Sequence, residues 1–189
     1  MRKDEVLKIF HETQAVLTGH FLLTSGRHSD TYMQCAKLFI EPEKAETLCA
    51  ALAHRLQDMK IEVVASPAVG GIIMGYITAR HLNAKNIFAE RVDGKMALRR
   101  GFEVKKGQRV LVVEDVVTTG GSVKEVAELI KAQGGVVAGV ASIVDRSNGA
   151  VDFGVPYKAL LSMEVLSYDA ADCPICKTGA PLIKPGSRK

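Results

Sequence analysis

An α/β fold with a mainly parallel central sheet flanked by helices is what this sequence predicts, and three observations carry the prediction. Short β-branched runs alternate with helical patterns along most of the chain. One run, RVLVVED at 109–115, is continuously apolar up to its two acids, as expected of a strand buried on both faces of a parallel sheet. The 189 residues suffice for one core of ordinary size, so the chain reads as a single domain, 1–189, with no linker and no internal repeat.

The elements follow in order. Val6, Leu7, Phe10 and Leu17 stand at near-helical spacing, which predicts a first amphipathic helix from about Lys3 to Val16, ended by Gly19. The segment GHFLLTSGRHSDTYMQ carries apolar pieces on either side of Ser25-Gly26, the pattern of an irregular hairpin, so residues 1–40 form an N-terminal helix and hairpin. From Pro42, suited to a first helical turn, Ala45, Leu48, Cys49, Leu52, Leu56 and Met59 mark one face of a second helix. IEVVASP then reads as a strand, SPAVGG as a small-residue loop, and the residues to about Leu82 as a third helix. NIFAER is a further strand, followed by a charged loop, VDGKMALRRG, and by the turn Lys106-Gly107. After RVLVVED and TTGGS, the residues Val123, Val126, Ala127 and Ile130 predict a helix closed by Gly134-Gly135, and VVAGVASIVD predicts the next strand. The residues 173–189 read as an extended tail rather than a second domain.

Composition narrows the function classes. Hydrophobic residues make up 47% and charged residues 24%, which argues against a disordered or fibrous chain. The longest uncharged stretch, between Glu62 and Arg80, is broken by Pro67, Gly70, Gly71 and Gly75, so no membrane span is expected. The start, MRKDEVLKIF, mixes acids with bases and lacks the apolar core of a secretory signal, so a cytoplasmic location is expected. A net charge of +4 without a basic run suits an anionic small molecule at least as well as nucleic acid, and no nucleic-acid partner is expected. Cys173 and Cys176 form a C-x-x-C, half of a four-coordinate zinc site, but no second His or Cys pair lies nearby in sequence. No metal ligand is therefore assigned from the protein, and His54 and His81 read as ordinary helix residues.

The segment that carries chemistry is VLVVEDVVTTGGS, Val110 to Ser122. In open parallel sheets ligands bind beyond the carboxyl ends of the strands, where Glu114 and Asp115 would stand. Thr118, Thr119, Gly120, Gly121 and Ser122 offer backbone N–H groups and hydroxyls where the following helix presents its positive end, a cradle for phosphate. The two carboxylates could accept hydrogen bonds from the vicinal hydroxyls of a ribose and would favour a bound Mg²⁺. Glu-Asp can also simply end a strand and Thr-Gly-Gly simply start a helix; their combination in this order favours the functional reading. No G-x-x-x-x-G-K-[ST] and no G-x-G-x-x-G is present.

The whole segment resembles the signature of type I phosphoribosyltransferases, which bind phosphoribosyl diphosphate (PRPP). The resemblance implies the type I fold with a small N-terminal hood. It implies Mg²⁺·PRPP bound through Glu114, Asp115, Val116, Val117, Thr118, Thr119, Gly120, Gly121 and Ser122, with Glu114 and Asp115 as catalytic acids and Mg²⁺ held mainly through PRPP. It also implies a homodimer.

The orotate branch of that family is favoured by three further likenesses. Asp145-Arg146, after SIV, resembles the pair whose arginine binds the orotate carboxylate. FLLTSGRHSDTYMQ resembles the orotate enzymes' hairpin, with Tyr32 and Met33 at its aromatic positions and Thr24 in place of a base-contacting lysine. Thr118 matches a residue that touches orotate as well as PRPP. SPAVGG, Ser66 to Gly71, resembles the diphosphate loop, with Gly70 where many members carry lysine. ERVDGKMALRRG stands in place of the mobile catalytic loop, so Arg91 or Lys95 could close over the diphosphate, in the same or the neighbouring subunit. The competing readings are a purine or xanthine phosphoribosyltransferase of the same fold and a PRPP-sensing regulatory protein, which should add a DNA-binding helix pair or basic face.

Overall fold

The structure is a computed structural model and describes residues 1–23 and 25–185. Six strands form the central sheet: β3 (Val63–Pro67), β4 (Lys85–Val92), β5 (Lys95–Leu98), β6 (Arg109–Val117), β7 (Val136–Asp145) and β8 (Tyr157–Ser162), in the order β5-β4-β3-β6-β7-β8. All neighbours run parallel except the edge pair β4 and β5. The order reverses between β3 and β6. From β3 the chain moves through α3 (Gly70–Leu82) to β4, and from β6 it moves through α4 (Gly121–Ala132) the other way to β7. This switch point leaves a crevice beyond the carboxyl ends of β3 and β6.

Strand alternation divides the core into two layers. Leu111, Val113, Ala141 and Ile143 pack with α1 (Lys3–Glu12), α2 (Pro42–His54) and α3, through Val6, Phe10, Leu48, Leu52 and Met74. Val110, Val112, Val137 and Val140 face the other way, onto Val123, Val126 and Ile130 of α4. Fully burying such side chains stabilises the fold by about 1.5–3 kcal/mol each, which holds the strand ends in fixed positions.

Four sequence expectations are corrected. The first helix stops at Glu12, because the Thr13 hydroxyl donates to the Ile9 carbonyl, Gln14 takes a left-handed φ of 55° and the Ala15 N–H donates back to Phe10. Val16 instead opens β1 (Val16–Leu22), with Gly19 inside it, and β1 pairs antiparallel with β2 (His28–Met33). The second helix ends at His54, and Leu56 and Met59 bury the short turns beyond it. The charged loop after NIFAER is a hairpin, in which Asp93 and Gly94, both with positive φ, turn β4 into β5.

The fourth correction concerns the metal ligands, and it follows from the path of the tail. The tail runs along both edges of the β1–β2 hairpin: Tyr168 and His28 exchange backbone hydrogen bonds at 2.8 and 2.9 Å, and Ile183 bonds to His20 and Leu22 at 2.8 Å each. Arg27 donates to the Ser167 hydroxyl, the Ser167 carbonyl and Asp169. This wrapping brings His20 and His28 onto Cys173 and Cys176, so the absence of a second ligand pair, true along the sequence, is not true in space.

Candidate active site at the sheet switch point

Glu114 and Asp115 stand near the end of β6, where successive side chains leave the strand on opposite faces. Asp115 turns toward α3: its two carboxylate oxygens lie 3.1 Å from where a Cβ on Gly70 would stand. A Cβ at Gly70 would stand tightly against that carboxylate, which would have to shift to admit one. Burial raises the Asp115 carboxyl, opposed by the Val116 N–H, which donates to Oδ1 at 2.9 Å. Burial, then the charge of Asp115, pushes Glu114 up to about 7. Neither acid forms a salt bridge among the described residues.

Beyond β6 the chain passes exposed Thr118 and Thr119 to Gly120, which caps α4 with a left-handed φ of 73°. A Cβ on Gly120 would lie 2.8 Å from Val151 and 2.9 Å from Phe153, so glycine is required twice over, by conformation and by space. The first N–H groups of α4, from Gly121 and Ser122 onward, have no partner within the helix and meet the positive end of its dipole, a ready anion site. Ser66 and Pro67 end β3 and Gly70 and Gly71 open α3, so the N-terminus of α3 lies within the Ser66–Gly71 segment, on the Asp115 side. The Ala68–Val69 peptide in that loop is cis.

Asp145 ends β7 opposite Val117 and is 3% exposed. It accepts hydrogen bonds from the Ser147 N–H (2.8 Å), the Ser147 hydroxyl (2.6 Å) and the Gly149 N–H (3.0 Å). It therefore shapes the turn that presents Arg146. The Arg146 N–H donates to the Val117 carbonyl at 2.8 Å, while its Nε is buried without a partner. Burial holds the nearby Cys35 thiol up to about 12, raised further by Asp115 and lowered by Arg146, so one inert cysteine senses both groups. Arg146 Nε is thus a buried guanidinium donor without a partner among the described residues, just past the end of the strand that pairs with the one carrying the two acids.

Comparison with known proteins decides the lineage. The model of the phosphoribosyl transferase domain matches residues 40–165. Orotate phosphoribosyltransferases from Caldanaerobacter subterraneus and Thermotoga maritima are each 54% identical, over 100% of both chains and over 97% and 98% of the respective chains. The chain belongs to the orotate phosphoribosyltransferase family. Among solved structures, the orotate phosphoribosyltransferase of Aeropyrum pernix superposes with a TM-score of 0.70 at 25% identity, covering 84% of this chain and 93% of that one. The adenine phosphoribosyltransferase of Thermoanaerobacter pseudethanolicus shares the fold at 18% identity and a TM-score of 0.60, over 70% and 88%.

The carboxyl ends of the adjacent strands β3, β6 and β7 thus carry, in turn, the Ser66–Gly71 segment, Glu114 and Asp115 with the Thr118–Ser122 loop, and Arg146. Arg91 is held elsewhere: its guanidinium donates to both carboxylate oxygens of Glu125 on α4, each at 3.0 Å, and to the Gly94 carbonyl. Arg100 is similarly bidentate to Glu90 at 2.9 Å and stacks over Phe88. Lys95 is exposed at the start of β5, with no salt bridge among the described residues. Tyr32 packs its ring on Phe21 of the hairpin, 5.8 Å between centroids, and Met33 reaches the main core. Thr24 lies outside the described residues. Sequence reasoning missed the turn-shaping role of Asp145 and the contact of Gly70 with Asp115. The first was signalled by the Asp-x-Ser spacing of Asp145 and Ser147, typical of a side chain bonding the backbone two residues on; the second left no local signal.

Proposed function

We propose that this protein transfers the 5-phosphoribosyl group from PRPP to orotate, giving orotidine 5'-monophosphate and diphosphate. The observation that carries the base assignment is the unpartnered Nε of Arg146 at the switch-point crevice, a planar donor suited to the orotate carboxylate. The names of the full-length relatives agree with it. The fold alone does not choose the base, since an adenine enzyme shares it.

In this reading the 5-phosphate sits at the N-terminus of α4, on the N–H groups of Gly120, Gly121 and Ser122 and the hydroxyls of Thr118, Thr119 and Ser122. Val116 and Val117 line the same turn. Glu114 and Asp115 bracket the ribose hydroxyls. The diphosphate lies along Ser66–Gly71, and Arg146 with Thr118 holds orotate. The bond from ribose C1 to diphosphate breaks as the orotate ring nitrogen bonds to that carbon; the diphosphate takes the electron pair, and the nitrogen gives up its proton to solvent. Asp115, half-buried and without a salt bridge among the described residues, would stabilise the positive charge that develops on the ribosyl carbon, so positioning and electrostatics supply the rate. The donor set fits Mg²⁺: two carboxylates without a cationic partner, raised by burial, offer hard oxygen ligands directly or through water. Bound with PRPP, Mg²⁺ would neutralise the leaving diphosphate. Arg91, if it leaves Glu125, or Lys95 would close over that group.

A cytoplasmic homodimer completes the proposal. Val69, Ile73 and Tyr76, spaced along one face of α3 beside the diphosphate loop, are 81%, 50% and 65% exposed, an apolar stripe that a second copy would cover. No helix among the described residues is long and apolar enough to cross a membrane. The deciding experiment is a Mg²⁺-dependent assay of PRPP against orotate, uracil, adenine, hypoxanthine and xanthine. Consumption of orotate alone supports the proposal; turnover of a purine overturns the Arg146 assignment, and no turnover with any base favours a PRPP-sensing role.

A further inference from the structure

Four side chains outside the active site meet at one point. His20 lies in β1, His28 in β2, and Cys173 and Cys176 in the tail, and their ligand atoms all lie within 4.8 Å of one another. His20 Nε2 is 3.0 Å from His28 Nδ1 and 3.6 Å from each sulfur, and Cys176 Sγ is 3.3 Å from His28 Nδ1. Zinc bonds of about 2.0–2.1 Å to nitrogen and about 2.3 Å to sulfur give a tetrahedron with edges of roughly 3.3–3.8 Å. The side chains are already close to that size.

Hydrogen bonding among the four groups does not account for the arrangement. His20 Nδ1 lies 2.9 Å from the Ala180 carbonyl, which can only accept, so Nδ1 carries the proton and Nε2 keeps a single lone pair. Three groups converge on that lone pair: His28 Nδ1 and both sulfurs. That lone pair takes one donor, and with the Cys176 thiol donating to His28 Nδ1 instead, the two ring nitrogens are left lone pair against lone pair at 3.0 Å, whereas a cation at the centre serves all four groups. A backbone carbonyl holding the distal ring nitrogen is also the usual outer support of a metal-bound histidine. Both cysteines are free thiols, and His20, His28 and Cys173 are only 3%, 6% and 1% exposed.

We propose that His20 Nε2, His28 Nδ1, Cys173 Sγ and Cys176 Sγ bind one Zn²⁺ in a closed structural site. Two thiolates and two imidazoles select a borderline-soft ion over Mg²⁺ or Ca²⁺, and four protein ligands leave no open position for catalysis. The two thiols lose their protons to solvent on binding, so the centre is neutral overall. Its role is mechanical. An isolated two-stranded hairpin is marginal in water, and here the ion would clamp the tail to both strands, 145 or more residues apart in the chain, complementing the backbone bonds of Tyr168 and Ile183. The site stands independently of the active-site reading, because its test needs no turnover.

The test is elemental analysis of the full chain, purified under reducing conditions from zinc-supplemented cells. The expected content is about one zinc per chain. After stripping, Co²⁺ should restore a thiolate charge-transfer band in the near ultraviolet and tetrahedral ligand-field bands in the visible. Cys176 is exposed, so Cys176→Ser should retain the circular dichroism of the parent while losing most of the metal and the cobalt band. Chelation should lower the Tm of the parent and leave that of Cys176→Ser unchanged. A reduced chain that takes up neither zinc nor cobalt, or equal metal content in parent and Cys176→Ser, would overturn the site. An unchanged Tm on chelation of zinc-loaded parent would overturn the clamp.

Discussion

Replacing Arg146 by alanine removes the one buried guanidinium donor without a partner among the described residues. Hydrogen bonds to charged groups are worth about 1.5–3 kcal/mol each, and a guanidinium can give a carboxylate two. Because Arg146 is only half-buried, the lower end applies: a loss of about 3 kcal/mol, or roughly 150-fold in affinity for orotate. PRPP affinity should change far less, since the N–H of residue 146 still donates to Val117 and Asp145 still holds the turn. The assay is calorimetric titration of orotate and of PRPP separately, with kcat/KM for orotate alongside. Arg146→Met adds a second reading: it keeps the volume and removes a buried unpaired donor, so thermal stability without substrate should hold or rise slightly. Equal losses for both substrates, or a clear loss of stability in Arg146→Met, would refute the reasoning, since either means that the side chain holds the loop together rather than the base.

Three further outcomes are expected. The Glu114 carboxyl is raised from 4.5 to about 7 in the fold, so the folded protein binds more protons than the unfolded chain between those values, and stability should fall as pH rises through that window. The full penalty, at most about 3 kcal/mol, is present above pH 7; urea unfolding from pH 4.5 to 8 should show the slope, and Glu114→Gln should flatten it. Gly120→Ala forces a Cβ against Val151 and Phe153 at a left-handed φ, which should cost about 1–3 kcal/mol in unfolding free energy and weaken PRPP more than orotate. Glu125→Gln frees Arg91 from its exposed ion pair and should leave Tm nearly unchanged, whereas Arg91→Ala should lower kcat if that side chain meets the diphosphate; equal kcat in both variants removes Arg91 from the reaction.

Much of the scaffold was legible because its signals are local. β7 matches VVAGVASIVD residue for residue, and α4 presents Val123, Val126, Ala127 and Ile130 to the core as their spacing requires. The failures also have local causes. Leu17 stands at helical spacing from Phe10, yet Gln14 reverses the chain before it, a left-handed step that no periodicity reports. β5 has only four residues, too few to show alternation, and β8, YKALLS, follows Pro156 but buries the adjacent Leu160 and Leu161, so no period of two marks it. The phosphate cradle was readable because strand, loop and helix N-terminus are contiguous from Val110 to Ser122.

Sites built across the chain obey a different rule. The approach of Gly70 to Asp115 and the meeting of His20 and His28 with Cys173 and Cys176 depend on the sheet order and on the path of the tail, neither of which any short window encodes. What such places share is physical: polar groups left in a state that the folded chain alone does not satisfy. Glu114 is held up near 7, Asp115 is raised without a cation among the described residues, Arg146 Nε is unpaired among them, and His28 Nδ1 and two sulfurs converge on the one lone pair of His20 Nε2. Folding normally removes such costs, because a buried unsatisfied group costs about 1–3 kcal/mol. Ser66 Oγ, Thr78 Oγ1 and Asn86 Oδ1 are also buried without partners, but only at the switch of the sheet and between the hairpin and the tail do charged or metal-ligating groups meet in this state among the described residues, which points to those two places as binding sites. The two points differ in what they need: open donors and paired acids call for an anionic sugar phosphate and a carboxylated base, while a closed shell of two sulfurs and two nitrogens calls for a metal ion.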